Sequence, residues 1–176
     1  MTRSIEQKRS RRQEQKTAKE INGRTTPASG SRWHQKADVR SDKFLIECKT
    51  TTKDSYRLTA KTWEKIANEA LRDNLKRPVM RVDLHDKYGD TYSYAIIPHE
   101  AYLIMRRYEI RKKNGGGFER EYFEDPRSSF VINLDDLGNH KIVFVFFFGT
   151  KGLEPDQQHA VVIMPWKEFM EHAGKI

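Results

Sequence analysis

Cysteine is almost missing from this chain: Cys48 is the only one among 176 residues. That excludes an intramolecular disulfide framework and a cysteine-built zinc site, and it points to a reducing compartment. No apolar run approaches the length of a membrane span or a signal peptide. The expectation is a soluble, intracellular protein with no membrane partner, of bacterial or archaeal cytoplasm or encoded by a virus of such cells. A phosphate-binding loop is lacking too, since the glycine-rich stretch KKNGGGFER has neither the P-loop spacing nor its lysine and reads as a flexible tip. No zinc finger or helix-turn-helix reader is evident.

Acid is in short supply relative to base. Lys and Arg number 33 against 25 Asp and Glu, a formal charge of +8. Residues 1–49 hold 13 Lys or Arg and 6 Asp or Glu, which supplies +7 of that total. A basic half beside a nearly balanced remainder makes a polyanion such as nucleic acid the natural partner.

The chain length suits one domain with a real core. Residues 3–21 lack Pro and Gly and favour a very polar helix whose first half is expected to be a frayed arm, with Ala18 and Ile21 as an apolar patch at its end. Residues 22–31 are rich in turn formers and read as a loop. Phe44 to Ile46 form a strand core, Thr59 caps an amphipathic helix over 60–74, and Trp63, Ile66, Ala67, Ala70 and Leu71 recur on one face of it. RPVMRVDL and TYSYAIIP are strands around the turn HDKYGD, followed by a short helix or turn at HEAYLIM. HKIVFVFFFG and HAVVIMP read as two more strands before the short helix WKEFMEHA. YAIIPHEAYL and AVVIMPWKEF echo one another, which fits either a repeat or a common strand-then-helix grammar. The pattern predicts an α/β fold, a mixed β-sheet flanked by helices.

Chemistry is concentrated in DVRSDKFLIECKTT, residues 38–51. Strand alternation places Glu47 and Lys49 on one face and turns Cys48 to the other, so the lone thiol reads as a small core residue. Asp38 and Glu47 are separated by eight residues, enough for a tight strand-turn-strand to bring them together. Two carboxylates side by side suit Mg²⁺, the Cys48 backbone carbonyl could add an oxygen, and Lys49 could hold a water or neutralise charge on a phosphate. An acid and a lysine two apart also occur on ordinary solvent-facing strands.

The stretch from Glu20 through Thr51 resembles the PD-(D/E)XK nuclease superfamily, and more narrowly the small Holliday junction resolvases of archaea and phages. The resemblance rests on Glu20 at the end of the first helix, the SGS loop ending in Ser31, Asp38 before the motif strand, and Glu47-Cys48-Lys49 followed by two threonines. Ala37 stands where the superfamily's named motif has proline. The similarity covers the first half of the chain, with the helix from Ala60 and the strand from Pro78 to Leu84 in family-like order. It implies a restriction-endonuclease-like core over 1–110 carrying the basic N-terminal helix or arm; residues after about 105 match nothing in the family, and their apolar strand pattern reads as a β-rich extension over 111–176 packed on the same domain.

It further implies that Asp38 and Glu47 bind a divalent metal, Mg²⁺ with Mn²⁺ able to substitute, that Lys49 assists the attacking water, and that Glu20 contributes a third acidic group through water. Ser31 would lie by the scissile phosphate, and Arg24 and Arg32 would hold the phosphodiester. Such enzymes are homodimers that make paired nicks across branched or four-way-junction DNA. Trp33 either packs under the loop or stacks on a base. His34 is a candidate phosphate contact or base, though this mechanism needs no histidine and a surface role is favoured. The bland alternatives are surface solubility for Glu20, a plain turn for Ser31 and solvated loop charges for Arg24 and Arg32. The function expected is a metal-dependent structure-selective endonuclease acting in DNA recombination and repair. The alternatives are another nuclease of the superfamily, with a restriction, repair or replication-nickase task, or a non-catalytic nucleic-acid-binding protein.

Overall fold

Capping decides where the chain first becomes regular. Ser4 accepts from the Gln7 N–H while the Gln7 side chain accepts from the Ser4 N–H, a reciprocal capping box that starts helix α1 at Ile5 and carries it to Glu20. The first half of this helix is therefore formed rather than frayed. The computed structural model describes residues 4–26, 37–112, 129–137, 143–147 and 159–175.

The remaining elements follow in order: β1 (Arg24–Thr25), β2 (Val39–Arg40), β3 (Phe44–Thr50), β4 (Ser55–Thr59), α2 (Ala60–Arg72), β5 (Arg77–His85), β6 (Thr91–Pro98), α3 (His99–Lys112), β7 (Ser129–Asn133), α4 (Leu134–Leu137), β8 (Val143–Phe147), β9 (His159–Pro165) and α5 (Trp166–His172). The protein is α/β. A mixed sheet runs β1-β2-β3-β5-β6-β9-β8, with β3 and β5 parallel and the other neighbours antiparallel, and β4 pairs with β7 in a small second sheet. The glycine-rich tip from residue 113 and the Ser31 loop lie outside the described residues.

Strand alternation sorts the two cores. Phe44, Ile46 and Cys48 of β3 join Val79, Ile97, Trp166 and Phe169 on the face covered by α1, α3 and α5. Met80, Val82 and Ile96 face the other way, toward Trp63 and Ile66 of α2 and Leu58 and Ile132 of the small sheet. Pro98 and Pro165 end β6 and β9, and a helix follows each. These two strand-then-helix units lie antiparallel, with Ile96 opposite Ile163. No helix among the described residues is long and apolar enough to cross a membrane.

Three elements differ from what local sequence suggests. The turn-rich 22–31 segment contains β1, because pairing with β2 outweighs its composition. A side chain on Gly23 would meet the Arg40 carbonyl oxygen at 2.5 Å, so only glycine permits that approach. The short helix or turn expected at HEAYLIM extends to Lys112. Leu71 belongs to the periodic apolar set of α2 yet is 60 % exposed, since it lies about 100° round the helix from the Trp63–Ile66–Ala70 line.

Ile163 is fully buried between the two halves of the sheet, so Ile163→Ala is expected to cost about 2–5 kcal/mol in urea unfolding. Leu71→Ala is expected to change stability by less than about 0.5 kcal/mol. Equal losses at the two positions would contradict the burial assigned to them.

Candidate active site

Strand β3 delivers two of the candidate residues by its pleat alone. Leu45 packs on Ala37 and Ala70, and Glu47 and Lys49 follow it on the same face, opposite the Cys48 core face. Lys49 Nζ lies 2.6 Å from Glu47 Oε1, and Glu47 is buried. The β2–β3 register pairs Val39 with Ile46, so one step further Asp38 stands opposite Glu47. Asp38 is fixed there by its Oδ2, which accepts the Cys48 N–H at 2.8 Å. In a strand the N–H and C=O of one residue point to the same edge, so the Cys48 carbonyl is directed to the edge that Asp38 occupies.

Electrostatics confirm that these groups share one environment. Burial and the neighbouring Asp38 charge raise the Glu47 carboxyl above its ordinary range, and the Lys49 ammonium only partly offsets them. For Lys49, burial pulls downward, but the Glu47 and Asp38 carboxylates outweigh it and the ammonium is held more firmly than usual. Tyr56 of β4 borders the pair; burial and Glu47 raise its phenol against the opposing effect of Lys49.

Helix α1 contributes an acid that the sequence argument passed over. Glu14 is raised by burial and then by the Asp38 charge, while the Ser10 hydroxyl, Arg11 and Lys49 act in the opposite sense. Beside it, Gln13 Nε2 donates to the Lys49 carbonyl at 3.0 Å and ties the helix to the end of β3. Gln13 is buried, and its Oε1 has no partner among the described residues.

Glu20, the acid chosen from the sequence, is engaged elsewhere. Its Oε2 accepts from Arg81 at 2.6 Å and from the Trp166 indole at 2.8 Å. Six residues along a helix amount to about 240° of rotation, so Glu14 and Glu20 project in different directions. The signal that would have separated them is the buried stripe Gln13, Thr17 and Ala18, which is mostly polar and so escapes an apolar-periodicity search.

Cys48 has no nucleophilic role, because burial pushes its thiol far up and the sulfur sits 3.7 Å from the Thr17 hydroxyl. Arg24 is exposed on β1, opposite Arg40. Ser31, Arg32, Trp33 and His34 lie outside the described residues.

The donor set suits a hard divalent cation in one respect. Asp38 and Glu47 are two carboxylates close enough for the charge of one to raise the proton affinity of the other, and a cation between them would relieve that repulsion. Among the described residues, no three His, Cys, Asp or Glu side chains are gathered tightly enough to enclose an ion. No protein-family model and no curated protein matches the chain.

The raised Glu47 carboxyl fixes the sign of a pH effect. Its contribution to stability is present below the ordinary carboxylate range and is lost as pH rises through the raised value. In cation-free buffer, Asp38→Asn is expected to shrink that loss, because it removes the second cause of the shift and keeps an oxygen for the Cys48 N–H. Urea unfolding of both proteins from acidic to neutral pH checks this, and parallel curves would show that Asp38 does not burden Glu47.

Proposed function

We propose that this chain is a Mg²⁺-dependent, structure-selective DNA endonuclease with a restriction-endonuclease-like core, and that it resolves four-way junctions as a homodimer making paired nicks. The reading is carried by one observation: Asp38 stands opposite Glu47 while Lys49 sits on the Glu47 carboxylate. The likeness of residues 20–51 to the PD-(D/E)XK nucleases and the positive charge of the first 49 residues support it.

In this reading Asp38, Glu47 and the Cys48 carbonyl hold Mg²⁺, with Mn²⁺ as a substitute. When bound, the ion supplies Lewis acidity toward a phosphodiester oxygen. Water adds to phosphorus, the bond to the 3′ oxygen breaks, and that oxygen takes a proton, leaving 5′-phosphate and 3′-hydroxyl ends. In the metal-free protein burial opposes the Lys49 ammonium, but the Glu47 and Asp38 carboxylates hold it more firmly than usual. Its work is to orient the water and to offset negative charge building on the phosphate. Glu14 takes the third acidic position, beside Asp38. Glu20 instead positions the helix through Arg81.

A second reading has its own observation. Glu47 and Lys49 form a closed ion pair, which is also what a non-catalytic nucleic-acid-binding protein would show. Restriction, repair and replication-nickase tasks use the same chemistry on other DNA.

Labelled four-way junctions, flaps and linear duplexes incubated with Mg²⁺ or EDTA separate these readings. Junction-selective, EDTA-sensitive cleavage is expected, with Asp38→Asn and Lys49→Ala lowering the rate by about 100-fold or more while DNA binding persists. Cleavage without junction preference would overturn the resolvase assignment, and no Mg²⁺-dependent cleavage of any substrate would overturn the enzyme.

The two helix acids give a sharper contrast. Glu14→Gln is expected to lower the cleavage rate by about 100-fold, a loss of the size seen when one acid–base or charge-stabilising group is removed. Glu20→Gln is expected to leave the rate within about tenfold while lowering the unfolding midpoint, because it weakens a charge-assisted bond to buried Arg81. The reverse pattern would return the third acidic role to Glu20.

A further inference from the structure

Helix α1 carries more charge than its docking requires. Its sheet-facing side is Gln13, Thr17 and Ala18. On the opposite side, Lys8, Arg12, Lys16 and Lys19 follow one another at three- and four-residue spacing, with Arg9 beside them, and all five are exposed. No acid interrupts this stripe. Glu6 and Glu14 lie toward the docked side, and Glu20 meets the stripe only at its flank, 3.9 Å from Lys16. A solvated helix face mixes both signs, whereas this one carries base alone from Lys8 to Lys19.

Two further observations give the stripe a direction and a location. Read backwards, α1 passes from Arg81 at Glu20, to Cys48 at Thr17, to the Lys49 carbonyl at Gln13, moving toward the C-terminal end of β3. From Ile5 to Arg12 every residue except half-buried Ser10 is exposed, so the first two turns run on past the last sheet contact. The Ser4–Gln7 capping box holds that projection helical. Arg11 acts on the Glu14 carboxyl, which in turn feels Asp38 and Lys49, so the projecting turns begin beside the candidate site.

We propose that the outer face of α1 is a preformed track for the phosphate backbone of a DNA duplex arm, leading away from the phosphodiester held at Asp38 and Glu47. Rested on the nuclease reading, it names how the substrate is held. A single-sign stripe suits a polyanion and opposes docking of the same face on a second copy. Lys8 to Lys19 spans about 16 Å at ~1.5 Å per residue, comparable to about five phosphates of one strand. Contacts of this kind fix orientation and carry no sequence information.

The test replaces Lys8, Arg9, Arg12, Lys16 and Lys19 together by Gln, which keeps helix propensity and touches no buried group. Binding of a labelled four-way junction and of a linear duplex is measured in EDTA across about 50 to 200 mM salt. The expected result is at least about tenfold weaker binding of both DNAs at the lower salt. The slope of log affinity against log salt should fall by about 3 or more, with unchanged circular dichroism. With Mg²⁺ and protein below saturation, cleavage of the junction should fall by about the same factor as binding.

An unchanged salt slope would overturn the proposal, as would loss of binding that follows a change in oligomeric mass by sedimentation, which would assign the face to a second copy. A reduced slope in a protein that cleaves no DNA would uphold the track and overturn the nuclease reading instead.

Discussion

A single buried guanidinium organises the molecule. Arg81 is 1 % exposed on the central strand β5, where removing a charge from water costs several kcal/mol unless every donor finds a partner. Its Nε pairs with Asp83, one terminal nitrogen with Glu20 and Thr17, and the other with Ser93, while the Trp166 ring lies 4.6 Å away. Those partners belong to β5, α1, β6 and α5. None of these elements can rotate or slide without stranding the cation, so the arrangement fixes the helical phase of α1. That phase sets Gln13 on the Lys49 carbonyl and Glu14 beside Asp38. The acidic site is thus positioned by a polar cluster on the other face of the sheet.

The two faces use charge in opposite ways. Around Arg81 each carboxylate is matched by a donor, which suits a structural role. Around Asp38 the carboxyls of Glu47 and Glu14 are each raised by burial and by the Asp38 charge, and Lys49 compensates only in part. Such under-compensated acids are costly for a bare fold, and groups perturbed in this way cluster at functional sites. The contrast separates Glu20 from Glu14 although both are acids of one helix.

Local pattern in the sequence revealed most of the sheet. The alternation in FLIECKT correctly divided Glu47 and Lys49 from Cys48, and Thr59 with Trp63, Ile66 and Ala70 marked α2 and its cap. These features are periodic and local. The placing of Glu14 near Asp38 and of Glu20 on Arg81 was not legible, because the phase of α1 is set by buried polar residues, Gln13 and Thr17, and by Arg81 some sixty positions away. In RPVMRVDL an arginine looks like a solvent-facing strand residue, and nothing nearby tells that Trp166 will cover it. The helical start at Ile5 was legible in the S-x-x-Q spacing of Ser4 and Gln7, but an apolar-period search does not weigh it. Pairing across the sheet, such as β1 on β2, depends on partners and not on the segment itself.

The order in which partners arrive along the chain adds a constraint of timing. Strand β6 keeps an open hydrogen-bonding edge until β9 pairs with it, and the indole that packs near Arg81 is the first residue after that strand. On a ribosome the N-terminal half emerges first, complete with its acids, its lysine and its buried arginine, but with a bare strand edge and an uncovered cation. Closure waits for residues 159–166. Correct assembly of the first hundred residues thus depends on a segment some sixty positions further on, and a chain interrupted before it displays the very edge on which unfinished sheets stick to one another.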